Sequence, residues 1–149
     1  MITKLSQIVE EAQKKGHKRL AVAYGQDSHT LSAVYDAYKE GLVEPTLYGD
    51  KQVIEEVCGA EGIDCSIFMI VDEKSDVNCV RLAVAGDPDC LLFPNNESAN
   101  VFFKAATHFG GAELAAMVMG TKVPCVLTSR GDSRLTKMYS IALACLAAR

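Results

Sequence analysis

The sequence predicts an α/β domain: a three-layer, doubly wound, largely parallel sheet of five or six strands. Three observations predict it. Short apolar runs alternate regularly with longer stretches of helical periodicity. The runs are apolar throughout rather than at every second residue, as expected of strands covered by helices on both faces. Gly, Asp, Asn and Pro clusters punctuate the series at the points where the chain must turn.

The elements follow in order. Ile2, Leu5, Ile8, Val9 and Ala12 recur at helical spacing, and Lys14-Lys15-Gly16 supplies a last-turn charge and a stop. Residues 19–24 (Arg-Leu-Ala-Val-Ala-Tyr) read as a buried strand. Gly25-Gln26-Asp27-Ser28 turns the chain, and Asp27 or Ser28 can cap the next helix. That helix carries Leu31, Val34, Tyr35 and Tyr38 on one face and stops at Gly41. Residues 45–48 give a second strand. Gly49-Asp50 opens a helix through Val53, Ile54 and Val57, with Gly59 near its end. Residues 67–71 give a third strand and 76–85 a weaker helix ending at Gly86-Asp87-Pro88. A fourth strand at 91–93 stops at Pro94-Asn95-Asn96, and 99–109 is helical up to Gly110-Gly111. Two further apolar runs, 115–119 and 125–128, supply the remaining strands. Residues 135–148 form the closing helix.

Bulk properties narrow the classes. At 149 residues the chain fits one domain, and folding at that size buries roughly 70% of the unfolded surface. Net charge is −4, with pI near 5.3, whereas broad nucleic-acid or anionic-membrane binding carries a basic excess. An anionic substrate requires cations concentrated locally. The expectation is therefore a cytoplasmic protein with neither nucleic-acid nor membrane partners: no secretory h-region is visible near Met1 and no apolar run reaches 18 residues. Six cysteines are present. None forms a C-x-x-C pair or has a His at ligand spacing, so no metal site is expected. Cys90, Cys125 and Cys145 fall in apolar runs and read as reduced core residues. His17, His29 and His108 are scattered and read as surface. The G-x-G-x-x-G and G-x-x-x-x-G-K-[ST] fingerprints are absent.

The most informative stretch is Pro124-Cys-Val-Leu-Thr-Ser129-Arg130 running into Gly131-Asp132-Ser133 and the last helix. A hydroxyl and a guanidinium adjoin where a strand is expected to end and a helix to begin. Ligands bind at that edge of open α/β sheets. A helix N-terminus offers unpaired N–H groups and a positive dipole end, which suits a phosphate or phosphoester. Asp132 or Ser133 can cap the helix. Asn95, Asn96 and Asn100 follow the fourth strand on the same expected sheet edge.

Two separated blocks resemble the phosphate acetyl/butyryltransferase family, phosphate butyryltransferases most closely. The first holds Leu20-Ala-Val-Ala-Tyr-Gly-Gln-Asp27, Ala33-Val34 and 41–51 (Gly-Leu-Val-Glu-Pro-Thr-Leu-Tyr-Gly-Asp-Lys). The second holds 84–89, Leu91-Leu-Phe-Pro-Asn95, Asn100-Val-Phe-Phe-Lys104, Gly111-Ala-Glu, 120–124, 126–133 and Tyr139-Ser-Ile-Ala-Leu. The family's enzymes are about twice this length. The resemblance implies the first lobe of an isopropylmalate-dehydrogenase-like fold. Residues 1–75 and 84–149 would match the family's two ends, joined directly near 76–84 without the central lobe.

The resemblance implies transfer of a short acyl group between coenzyme A and phosphate, with both as substrates and no bound cofactor. Ser129 would bond the thiol leaving group or the oxyanion, and Arg130 would hold phosphate through its planar fork. Thr128, Asn95, Asn100, Lys104 and Asp132 would line the substrate site. Relatives that transfer acetyl place an acidic residue farther into the last helix, whereas Ser133-Arg134-Leu135-Thr136 supplies none. A half-cleft open to water weakens the remaining donors, and loss of a lobe should bare apolar surface, so a homo-oligomer is expected. Three readings stay open: a transferase with full or residual activity, a non-catalytic lobe binding an anion or coenzyme A, and a minimal folded domain without ligand.

Overall fold

A computed structural model describes residues 6–118, 121 and 123–148. In chain order these residues form α1 (Ser6–Gln13), β1 (Lys18–Ala23), α2 (Ser28–Lys39), β2 (Val43–Gly49) and α3 (Lys51–Glu61). A short 3-10 turn (Cys65–Ile67), β3 (Met69–Asp72), α4 (Asp76–Ala85), β4 (Cys90–Leu92), α5 (Asn96–His108) and α6 (Arg134–Ala147) complete the series. The chain divides into two compact units. One is Ala12–Asn100; the other takes the described residues before position 12 together with those from Val101 onward. No described helix is long and apolar enough to cross a membrane.

The unit from Ala12 to Asn100 is a three-layer αβα sandwich around a parallel sheet of order β3-β2-β1-β4. β1 lies inside, with Ala21 opposite Thr46 of β2 and Leu91 of β4. One face buries Val22 and Leu47 against Leu31 and Val34 of α2, Ile54 and Cys58 of α3, and Phe68. The other packs α4 through Ala83 onto Ala21 and Ala23. Small residues on both sides let the helix approach closely. At roughly 25 cal/mol per Å² of apolar area, each fully buried Leu or Ile contributes about 2 kcal/mol.

The local signals act as the sequence predicts in most places. Asp27, Asp50 and Ser75 cap α2, α3 and α4 by accepting from Thr30, Gln52 and Asn78 backbone N–H groups. Gly59 lies near the end of α3, as expected, and the helix closes at Gly62 in the left-handed region (φ +66°), a backbone that glycine takes freely. α5 begins at Asn96 rather than Ala99, because the Asn95 side chain accepts from Ser98 N–H at 2.8 Å and satisfies the first turn.

The expected five or six strands are four among the described residues. The runs 115–119 and 125–128 meet through one antiparallel bridge, Val118 to Cys125; Met119 lies outside the described residues. Pro124 lacks an N–H, and a strand persists only where a neighbour completes its ladder. Val123 and Leu127 are left exposed. The cysteine expectation also changes. Cys90 and Cys145 are exposed and Cys125 half-buried, while Cys58 and Cys79 are the buried pair. β4 is only three residues long and buries none of its side chains fully. Ile2 and Leu5, assigned to the first helix, lie outside the described residues.

Candidate functional site

The stretch singled out by sequence is a loop that folds onto itself. Ser129 N–H donates to the Asp132 carboxylate at 2.7 Å, and Asp132 N–H donates to the Ser129 carbonyl at 3.1 Å. Gly131 N–H approaches Ser129 Oγ at 3.4 Å. Ser133 then caps α6: its Oγ accepts from Thr136 N–H at 3.1 Å and lies 3.0 Å from Thr136 Oγ1. Of the two capping candidates, Ser133 takes the role. Asp132 closes the loop one residue earlier, with a carboxylate bonded to backbone.

Ser129 and Arg130 are exposed, Thr128 and Asp132 half-buried. Among the described residues no carboxylate forms an ion pair with Arg130. A guanidinium so placed keeps its fork available for a planar or tetrahedral oxyanion. The opposing feature is Asp132, whose negative charge sits just ahead of the α6 N-terminus, where a bound anion would also go.

The loop is held by the rest of its unit. Ser140, fully buried on α6, donates to Thr136 O at 2.8 Å and accepts from Ala116 N–H at 3.1 Å. Tyr139 donates to Glu113 Oε1 at 3.2 Å, and that charge raises the Tyr139 pKa. The 113–118 segment is thereby tied to α6, and through the Val118–Cys125 bridge to the strand-like run entering Ser129. Ser140 and Glu113 stand inside the resembling blocks, but spacing gave them no role; a serine amid an apolar helix face was the available signal.

The asparagines fall elsewhere. Asn95 belongs to the Ala12–Asn100 unit, where its side chain caps α5. Asn100 and Lys104 lie one turn apart on α5, both exposed, so they share a helix face. Asn96 is the first residue of α5. Lys104, Thr128, Ser129, Arg130 and Asp132 fall in the other unit.

The carboxyl edge of the sheet carries its own polar cluster, which spacing did not single out. β1 ends at Ala23 and is followed by Tyr24 in the left-handed region (φ +52°) and by Gly25. A Cβ at Gly25 would collide with Val22 Cγ1 and come within 2.8 Å of Thr30 Cγ2, so this turn admits only glycine without rearrangement. Gln26 Oε1 accepts from Asp50 N–H at 2.9 Å, and Lys74 pairs with Asp50 at 3.2 Å. Burial pushes the Asp50 carboxyl up, but the Lys74 bond and charge outweigh it and hold the group below its ordinary value. These groups satisfy one another, which reads as structure. Among the described residues no group of three His, Cys, Asp or Glu side chains is placed to hold a metal.

Comparison with known proteins shows the family of the chain. A model of the phosphate acetyl/butaryl transferase family matches the chain twice, over residues 4–81 and 75–145. A probable phosphate butyryltransferase of Bacillus subtilis is 48% identical over 113 residues, 76% of this chain and 34% of that protein. The phosphate butyryltransferase of Clostridium beijerinckii is 46% identical over 79 residues, 53% of this chain and 26% of that protein. The phosphate acetyltransferase of Thermotoga maritima is 43% identical over 75 residues, 50% of this chain and 26% of that protein. The chain thus spans about a quarter to a third of the length of these relatives. Among solved structures, a branched-chain phosphotransacylase from Enterococcus faecalis aligns with a TM-score of 0.46 at 24% identity, over 94% of this chain and 50% of that one.

Proposed function

The chain belongs to the phosphate acetyl/butyryl transferase family, and from that premise we propose that its 128–133 loop is the phosphate-holding part of an acyl-transfer site. The substrates are a short acyl-coenzyme A and inorganic phosphate. A phosphate oxygen attacks the thioester carbonyl carbon, the tetrahedral intermediate collapses, and the C–S bond breaks. The proton given up by phosphate ends on the coenzyme A thiol. Arg130 holds the phosphate in line for attack, and the Ser129 hydroxyl donates to the oxyanion or the leaving sulfur. Thr128, in the same loop, contributes to substrate binding. The observation that carries this reading is Arg130, unpaired among the described residues, beside a hydroxyl at the mouth of a capped helix.

The family model matches two stretches that meet at 75–81. We read the chain as the family's two ends joined there. α4 runs through this point unbroken from its Ser75 cap, so a join at that place leaves a regular helix. Self-association belongs to the same reading, because a second copy would shield the site from water. Small anionic substrates in the cytoplasm, rather than nucleic acid, accord with the net charge of −4.

A second reading, a non-catalytic lobe that binds phosphate or coenzyme A, draws support from one feature: the first turn of α6 carries no acidic residue to act as a base. The test is thiol release from butyryl-coenzyme A, with and without phosphate, run beside Arg130→Ala. Phosphate-dependent release that falls at least about tenfold in the variant, the scale of a lost charge-assisted bond, supports the transferase. No release, with a saturable rise in melting temperature on adding coenzyme A or phosphate, replaces it with the binding lobe. No release and no shift leaves a folded domain without ligand.

A further inference from the structure

Two cysteines stand together inside the Ala12–Asn100 unit and belong to no part of the candidate site. Cys58 lies on α3, buried in one apolar cluster with Leu47, Ile54 and Phe68. Cys65 opens the 3-10 turn and packs against that cluster from its rim. The chain reverses between them. α3 closes at Gly62, Ile63 N–H returns to the Cys58 carbonyl at 2.8 Å, and the Asp64 carboxylate caps the turn by accepting from Ser66 N–H at 3.0 Å. The reversal brings the two side chains to one place, and the Cys65 thiol is hydrogen-bonded to the Cys58 thiol. Other thiols are engaged differently. Cys79 donates to the Glu73 carbonyl at 3.3 Å and Cys125 to the Val123 carbonyl at 3.4 Å.

We propose that Cys58 and Cys65 form a reversible disulfide when the protein meets a peroxide, a redox-sensitive staple across the corner between α3 and β3. The order of events follows from the packing. Cys58 is enclosed by its own cluster; burial and the Cys65 bond push its thiol up to about 12, so it keeps its proton. Cys65, at the rim, reacts first, through its thiolate. The sulfur attacks one oxygen of hydrogen peroxide and the O–O bond breaks. Cys65 becomes a sulfenic acid, and the hydroxide released takes up the Cys65 proton as water. The Cys58 sulfur then attacks the Cys65 sulfur. The S–S bond forms, the S–O bond breaks, and the hydroxyl leaves as water with the Cys58 proton. Two thiols lose two electrons in all, and the peroxide gains them. Contact between the sulfurs offsets the weak nucleophilicity of a protonated thiol. Capture by Cys58 also keeps Cys65 from passing to the irreversible acids. The inference is independent of the acyl chemistry.

The test treats the full chain with hydrogen peroxide, blocks the remaining thiols and maps peptides without reductant. A protease that cuts after Glu61 separates Cys58 from Cys65. The expected result is the two pieces recovered as one peptide, lighter by two hydrogens and parted by dithiothreitol. Closing this short ring should raise the melting temperature by about 5 °C. Cys58→Ala removes the capturing thiol, so Cys65 should go on to sulfinic and sulfonic acids, read by mass. Cys65→Ser, placed at the rim, spares the buried cluster. It should lose both the link and the rise in melting temperature, and leave Cys58 a thiol. No link between Cys58 and Cys65 at a peroxide excess that oxidises other cysteines overturns the proposal. So does a link from either of them to Cys90, Cys125 or Cys145 in preference to each other. Oxidation of Cys58 in Cys65→Ser at the rate seen in the unsubstituted chain overturns the order of events. A link without a rise in melting temperature overturns the staple.

Discussion

Asp132 decides how far the 128–133 loop can serve an anion. Its carboxylate holds Ser129 N–H at 2.7 Å, so it organises the loop, yet it also sets a negative charge where phosphate would bind. Asparagine keeps the acceptor and drops the charge. Asp132→Asn is therefore expected to tighten phosphate binding by about two- to fivefold, the scale of one charge at a helix N-terminus. Calorimetry with inorganic phosphate checks this, and weaker binding in the variant would show that the carboxylate assists the substrate instead. The capping choice at Asp132 or Ser133 was legible in the sequence, because both oxygens stand next to the helix they could cap, and Ser133 takes the role. The sequence did not reveal Ser140, whose two bonds to Thr136 and Ala116 need α6 and the 113–118 segment to be side by side. A contact between positions 24 residues apart leaves no periodicity to read.

Helix starts were legible at α2, α3 and α6, whereas α5 starts three residues ahead of its expected place and the Ser75 cap of α4 was not singled out. Asp27, Asp50, Ser75 and Ser133 all cap the helices that follow them, since a capping oxygen and its target N–H are neighbours in sequence. Strands were less so. The run at 125–128 has the composition of a buried strand but pairs at a single bridge, because strand formation depends on a partner that composition does not name. The caps also carry the pH response. Asp27 and Asp50 are pushed up by burial, but hydrogen bonds from Thr30 and from Lys74 outweigh this and leave both below their ordinary value. The Arg19 bond lowers Asp89, which spans the starts of β1 and β4. A carboxylate with a lowered folded value stabilises above its unfolded value and loses that contribution as pH falls. The melting temperature should hold steady above about pH 5 and decline below about pH 4. Asp50→Asn with Asp89→Asn should flatten the decline, and an unchanged slope would mean these groups do not set it.

The whole chain separates what is self-sufficient from what is not. The unit Ala12–Asn100 contains the entire described sheet and both apolar clusters. A fragment of residues 12–100 is expected to unfold cooperatively in urea with native circular dichroism; a gradual, non-cooperative loss would show that it needs the remaining chain. The fold class was legible because β/α alternation and continuous apolar runs are properties of the whole sequence. The strand count was not, since each strand at the margin depends on its pairing. Sheet order has a further consequence, in time. β4 joins β1 through Leu20 opposite Cys90, seventy residues away, and Arg19 meets Asp89 at the same junction. During synthesis the first strand emerges early and waits with one flank uncovered until the fourth is made. Closing so long a loop slows assembly, and the waiting edge can recruit other chains. The nascent protein is thus exposed to aggregation until residue 92 has left the ribosome, and slower translation before that point lengthens the interval.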